Sequence, residues 1–342
     1  MREQRVRSAR RTGAGLRGNL APRARPDPDL LAPPLPRPVP PPSPDAPRSA
    51  AGTWLGLTLV VLVWGLNFAV IKVPLEVMPP FAVNLWRFLV SLVVLGALHA
   101  ADARRRGHGV FDALRAAPGA IVALGLVAHV GYQSGFIVGI DRVTAGLGAL
   151  IMAMSPLWTA LIAHAVGTDR LRGRAWLGVA LGVVGAALVV STPRPDAAPT
   201  AGSGVVILVG ATVAWALYTA LSRPVYARGV STIGFTFWGV AAAMPFIVGL
   251  GLWETPETDW ARVGPAVWAA LLFSGGLSTG LAYGLWNAAV ERVGPARTAA
   301  FSNLVPFAGV AAGVLLLGEA LVPLQVAGGV VVIAGLAVLR RA

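Results

Sequence analysis

The chain has 342 residues, 56% of them hydrophobic and 13% charged, with a formal net charge of +13 and no cysteine. A soluble domain carries roughly 25% charged residues, so an ordinary water-soluble class is excluded, as are disulfides, thiolate metal sites and cysteine nucleophiles. Lys72 is the only lysine, and the arginines stand in short breaks between long apolar runs, which is a membrane-topology pattern and not a nucleic-acid-binding face.

Residues 1–52 form a separate region. Met1 to Arg25 is basic and has no apolar h-region, so no ordinary signal peptide is expected. Twelve of the 27 prolines lie between Pro22 and Pro47. Such a segment has too few backbone donors and too little apolar bulk to build a core, which predicts an extended or disordered cytoplasmic tail. A Pro-x-x-Pro ligand is the alternative reading.

From Thr53 the chain divides into ten apolar runs, near 53–74, 80–99, 118–138, 143–166, 173–192, 203–222, 232–253, 264–289, 296–318 and 323–340. Each approaches the roughly 20 residues needed to cross a bilayer as a helix. Their Gly and Ala content suits close helix contact in lipid.

Several runs carry polar groups that lipid cannot satisfy, so these should face the bundle interior or a wet cavity. In the first run Trp64, Asn67 and Ile71 share a face, and at an offset of 151 they match Trp215, Tyr218 and Ser222 in the sixth. Asn84 and Arg87 form an i, i+3 pair in the second. Arg87 lies about 10 Å from the outer helix end, where it could hold a carboxylate or phosphate, or snorkel to the interface. Lys72, nearer that end, snorkels more easily. In the third run His129, Tyr132, Gln133 and Phe136 fall on one face; in the eighth so do Thr279, Tyr283, Trp286 and Asn287. Cavity lining competes here with interhelical hydrogen bonding. Ser155 stands beside Pro156 in the fourth run, and Ser302 and Asn303 precede Pro306 in the ninth. A proline inside a helix frees a carbonyl and permits a kink, which makes Pro156 and Pro306 hinge candidates.

All fifteen carboxylates lie in the tail, in breaks or near run ends. That pattern offers no metal site, no Asp-rich prenyl-transferase motif and no mid-membrane acid for carrying protons. No phosphate-cradling loop ending in Gly-Lys-Ser/Thr is present either. His129 is the best titrating candidate if transport is proton-coupled; His164 reads as structural.

The breaks repeat. Arg142-Val143, Pro156, Leu171, Gly178 and Gly185 recur 150 positions later as Arg292-Val293, Pro306, Leu321, Gly328 and Gly335. The repeat divides the chain into halves at 53–192 and 203–341, each with five runs. With the N-terminus cytoplasmic, 23 of the 28 cations fall inside and three (Arg142, Arg194 and Arg262) outside. An odd number of spans per half then inverts the second half, a signature of secondary transporters. The expected fold is an all-α membrane protein of ten transmembrane helices, arranged as two inverted five-helix repeats.

Trp64-Gly65-Leu66-Asn67-Phe68, Arg87-Phe88, the two prolines and Leu317-Gly318-Glu319 together resemble the EamA family of the drug/metabolite transporter superfamily. The similarity covers about residues 53–340 as two units. Asp169 stands where the first unit usually has Glu, and Trp215-Ala216-Leu217-Tyr218 departs from the Trp-Gly-x-Asn pattern. The resemblance implies ten helices around a central cavity and movement of small polar or amphipathic metabolites, often outward. The expectation is therefore a secondary transporter of the cell membrane with both termini cytoplasmic, not an enzyme, without cofactor or metal. Its partners are the bilayer and a small-molecule substrate and not nucleic acid; a homodimer is compatible with the sequence. An intramembrane enzyme or a signalling scaffold is the alternative.

Overall fold

Long apolar runs leave their backbone N–H and C=O groups without water, so inside a bilayer they must close their own hydrogen bonds as helices. The computed structural model describes residues 47–167, 171, 173–191, 200–226, 229–293, 301–302, 304–320 and 322–341, and among these it is helical with no strand. The expected tail up to residue 46, Asp169 and Asn303 lie outside the described residues.

Seven helices are long and apolar enough to cross a membrane. They are α1 (Pro47–Val70, extended by Lys72–Leu75), α2 (Pro80–Arg106), α3 (Pro118–Asp141), α4 (Ala145–Ala165), α6 (Ala201–Tyr226), α7 (Thr232–Glu254) and α8 (Pro265–Val293). Three shorter apolar helices, α5 (Arg174–Ser191), α9 (Val305–Leu317) and α10 (Pro323–Arg341), overlap the fifth, ninth and tenth expected runs. Large apolar side chains point outward, Leu315 with 80% of its surface exposed, as a lipid-facing surface requires.

Contacts between elements come in matching pairs. Helix α1 packs on α8 and α9, and α6 packs on α3 and α4; α2 rests on α8, and α7 on α3. Helices α2 and α7 pack on each other, as do α5 and α10. In the latter pair a Cβ on Gly178 would lie 2.7 Å from the Gly335 carbonyl, and one on Gly185 would lie 2.6 Å from the Gly328 carbonyl. Rising numbers on α5 thus meet falling numbers on α10, so the two helices are antiparallel. Bare backbone at these crossings lets them touch directly, which in lipid replaces the missing hydrophobic drive with van der Waals contact.

Two of the long helices are not uniform. Helix α3 runs as Pro118–Gly125, a π-helical segment Leu126–Tyr132, and Gln133–Asp141. Helix α8 has the same build, with a π-helical segment Phe273–Leu281 between Pro265–Leu272 and Ala282–Val293. The two π segments sit about 150 residues apart, at equivalent places in the repeat. Helix α4 is broken at Ala153–Met154, and its second segment starts at Ser155. Pro156 therefore stands in the first turn of a new segment and not inside a kinked helix. Pro306 stands likewise in the first turn of α9. A first-turn N–H has no intrahelical partner, so proline removes nothing there. Before each proline the chain closes a tight i to i−3 bond, Met154 N to Ile151 O at 3.0 Å and Leu304 N to Phe301 O at 2.9 Å.

The acids near helix ends serve as caps. The Glu254 carboxylate, ending α7, accepts from the Phe81 and Ala82 N–H groups that open α2. At the other end of the same pair, the Ser231 hydroxyl that caps α7 donates to Asp102 of α2 at 2.9 Å. Glu319, following α9, accepts from the Ala145 and Gly146 N–H groups at the start of α4. A negative charge is favoured at each such terminus by its orphan donors and the helix dipole. Lys72 does the converse. Instead of snorkelling, its ammonium donates to the carbonyls of Ile140, Asp141 and Val143 at the end of α3, where a cation suits the dipole.

Candidate functional site

Aromatic rings from five helices meet in the interior. Trp64 of α1 lies 5.1 Å from Trp286 and 6.0 Å from Tyr283 of α8, centroid to centroid. Trp215 of α6 lies 6.2 Å from Tyr283, 4.9 Å from Tyr132 of α3 and 5.4 Å from Tyr218. His129 is 6.3 Å from Tyr218 and 5.8 Å from Phe88 of α2. The two stripes expected on the third and eighth runs therefore converge, together with the faces of α1 and α6.

The π segments contribute backbone to this junction. A π turn bonds i to i+5, which widens the helix and leaves carbonyls out of the α register. In α8 three carbonyls of the π segment find side-chain donors: Ser274 O from the Thr279 hydroxyl at 3.1 Å, Gly275 O from Ser91 at 2.8 Å, and Ser278 O from the Trp64 indole at 2.9 Å. Gly275 is where α8 meets α2 most closely, since a Cβ there would collide with the Arg87 carbonyl.

Arg87 points inward, with 2% of its surface exposed, so it does not snorkel. Its Nε donates to Ser274 Oγ at 2.7 Å, its Nη1 to Asn84 Oδ1 at 3.1 Å, and its guanidinium lies 5.9 Å from the Phe136 ring centroid. The Tyr132 and Tyr283 hydroxyls are within electrostatic reach of it. No carboxylate among the described residues pairs with it. Burying a charge without an opposite charge is costly, and a cation held this way inside a membrane helix bundle is suited to binding an anion.

A second group of polar atoms is buried without any partner: both ring nitrogens of His129, Gln133 Oε1 and Asn67 Oδ1. Gln133 lies beside Tyr283. Buried polar atoms in native proteins are normally hydrogen-bonded, so these four stand out, and Gln133 sits beside a tyrosine that is itself within reach of Arg87.

The remaining expected residues are placed differently. The Thr279 hydroxyl is used inside its own helix, and so is that of Ser155, which donates to Met152 O at 2.8 Å. Ser302 is half-buried ahead of α9, and the Asn287 side chain lies outside the described set. Among the described residues no group of three His, Cys, Asp or Glu could hold a metal ion. A separate groove of about 360 Å³ is lined only by apolar residues of α4, α9 and α10, Pro306 among them. Sequence reading did not single out Ser274, Ser278, Ser91 or Gly275. For the three residues of α8 the signal was the Ser/Gly-rich run Phe273 to Leu281, an unusual density of small residues for a spanning helix.

The EamA-like transporter family model matches the chain twice, at residues 52–191 and 202–341. The chain belongs to the EamA-like transporter family. It is therefore a multi-pass membrane transporter. A protein of Salmonella typhimurium named "Probable amino-acid metabolite efflux pump" is 29% identical over 286 residues, covering 81% of this chain and 91% of its own. An uncharacterized transporter of Bacillus subtilis, YyaM, is 28% identical over 275 residues, covering 79% and 88%. A "Probable terminal-alkyne amino-acid exporter" of Streptantibioticus cattleyicolor is 27% identical over 289 residues, covering 83% and 92%. A solved crystal structure matches the fold with a TM-score of 0.56 at 20% identity, over 84% of this chain and 96% of that one.

Proposed function

We propose that this transporter exports small polar or amphipathic, amino-acid-like metabolites across the cell membrane by alternating access of the aromatic and polar junction. The halves are residues 53–192 and 203–341, five helices each and inserted in opposite senses, with both termini cytoplasmic. The observation that carries the reading is the placement of Arg87, Gln133, His129 and Asn67, buried and incompletely paired among rings from both halves.

Three features support the mechanism. Antiparallel α5 and α10 and the paired contacts of the other helices are what two inverted copies would make. The breaks before Pro156 and Pro306, at equivalent places, provide matching bend points on opposite sides. The π segments of α3 and α8 bury part of their irregular backbone, with Ala128, His129, Ser274, Gly275, Ser278, Thr279 and Gly280 inside the protein, in keeping with the demands of lipid. The names of the Salmonella and Streptantibioticus relatives favour amino-acid-like cargo and outward movement.

Counterflow in proteoliposomes loaded with an amino-acid panel tests the reading, alongside excretion by an overexpressing host. Cargo-dependent exchange by the protein, absent from empty liposomes, is the expected result. Absence of exchange for every member, with no change in excretion, would refute it. Comparing rates with and without a pH gradient reads coupling directly; equal rates remove His129 as a proton carrier.

A further inference from the structure

Helices α9 and α10 follow one another in the chain, yet they do not pack closely on each other. Helix α9 rests on α1 and α4, and α10 rests on α5 and, lightly, on α4. The gap between them is the apolar groove of about 360 Å³. Phe307, Ala311 and Leu315 of α9 and Val326 and Val330 of α10 wall it, and the buried Leu150 of α4 lies within it. Phe307, Leu315 and Val330 are each more than half exposed, so the groove opens to lipid. It follows α9 from Pro306 to Leu315, about 14 Å at 1.5 Å per residue.

Beside it lies a niche of about 20 Å³, which shares Leu150, Val310, Val314 and Val326 with the groove and adds Thr144, Glu319 and Gln325. That volume holds one water-sized group. Thr144 opens α4, Glu319 follows α9 and Gln325 lies in the first turn of α10, so the niche sits where these spans reach the membrane surface. The slot is therefore apolar in the depth of the bilayer and polar at its face, as a lipid is. The charge there is negative. Among the described residues neither groove nor niche is lined by Lys or Arg. Lys72 is within electrostatic reach of Glu319, but its ammonium is held by the carbonyls ending α3.

We propose that the groove between α9 and α10 binds a bilayer phospholipid with a primary-ammonium head, phosphatidylethanolamine. One acyl chain lies along α9 over Leu150 and supplies the van der Waals contacts that the gap lacks. The ammonium donates to Glu319. A carboxylate has about four acceptor sites, and the Ala145 and Gly146 N–H groups fill two of them. Charge and size select the head. A glycerol phosphate head brings a second negative charge to Glu319 and no cation. A choline head has the right charge, but its three methyl groups exceed the niche and it has no N–H to donate.

The purified full-length protein, delipidated in detergent, is offered equal amounts of phosphatidylethanolamine, phosphatidylcholine and phosphatidylglycerol with the same acyl chains. Native mass spectrometry reads which lipid is retained. Phosphatidylethanolamine should be favoured over each of the others by about threefold or more, the scale of one half-exposed ion pair. Ala311→Trp fills the groove from an exposed position and should remove most of that retention. Val93→Trp, on an exposed face of α2 outside the groove, should leave it intact. Glu319→Gln should bring phosphatidylethanolamine and phosphatidylglycerol to within about twofold. Glu319 also caps α4, so if that variant does not fold, the three lipids on the wild type and Ala311→Trp still decide the matter. Equal retention of all three lipids, full retention by Ala311→Trp, or equal loss from Val93→Trp would overturn the proposal. A dimer that Ala311→Trp dissociates, with no lipid retained, would overturn it too and give the groove to a second copy of the chain.

Discussion

Helices α3 and α8 share an unusual backbone and differ in what they do with it. Both switch to π geometry at the same place in the repeat. In α8 the polar groups are paired: Ser274 accepts from Arg87, Thr279 donates back to Ser274 O, and the carbonyls of Gly275 and Ser278 take donors from α2 and α1. In α3 they are not, since His129 and Gln133 keep buried atoms without partners. Among the described residues, one copy of the motif closes its polar atoms on the protein and the other leaves some of them open. Matching stripes in the sequence thus do not carry matching hydrogen bonds.

Substitutions can break or sharpen that contrast. The largest effect is expected from Gly275→Val, whose side chain would meet the Arg87 carbonyl and drive α8 from α2. Overpacking of this kind costs about 1–3 kcal/mol or more, so thermal unfolding in detergent should show a clear loss. Gly276→Ala, where the added Cβ lies 3.5 Å from Val90, is the control and should unfold like wild type. Ser274→Ala should follow at about 1–3 kcal/mol, because it leaves a buried guanidinium N–H without its acceptor.

His129→Leu should behave in the opposite way. It removes buried nitrogens that bond to nothing in the protein, so unfolding should be unchanged or slightly later while amino-acid counterflow falls. A large loss of stability would mean that α3 is scaffold too and would end the comparison. Thr279→Val is expected to give the smallest change, about 0.5–1.5 kcal/mol, with counterflow close to wild type. Pro156→Ala and Pro306→Ala address motion and not stability. Lower exchange at unchanged folded yield is expected for both, and normal exchange in both would remove the hinge role.

How much of this could be read from the sequence follows from the range of each interaction. The seven long spans and the two stripes were legible because apolar length and side-chain spacing are local signals. Arg87 was legible as a misfit in an apolar run, although its choice of the interior over the interface depends on Ser274, 187 residues away. The π segments were not legible, because a 3.6-residue template cannot detect one extra residue per turn. Nor was the break at Ala153–Met154, since a proline marks a disturbance and does not say whether it bends or restarts the helix. The caps made by Glu254 and Glu319 reach across 173 and 174 residues. Position near a run end hinted at such a role but could not name the helix served.

Those caps also bear on how the chain is made. The N–H groups opening α2 and α4 belong to the first half, and the acids that satisfy them are translated far later, after α7 and after α9. Until then a nascent first half has two helix ends without their proper acceptors and no α8 to hold Arg87. A chain that stopped before residue 319 would leave the Ala145 and Gly146 N–H groups that open α4 without their carboxylate.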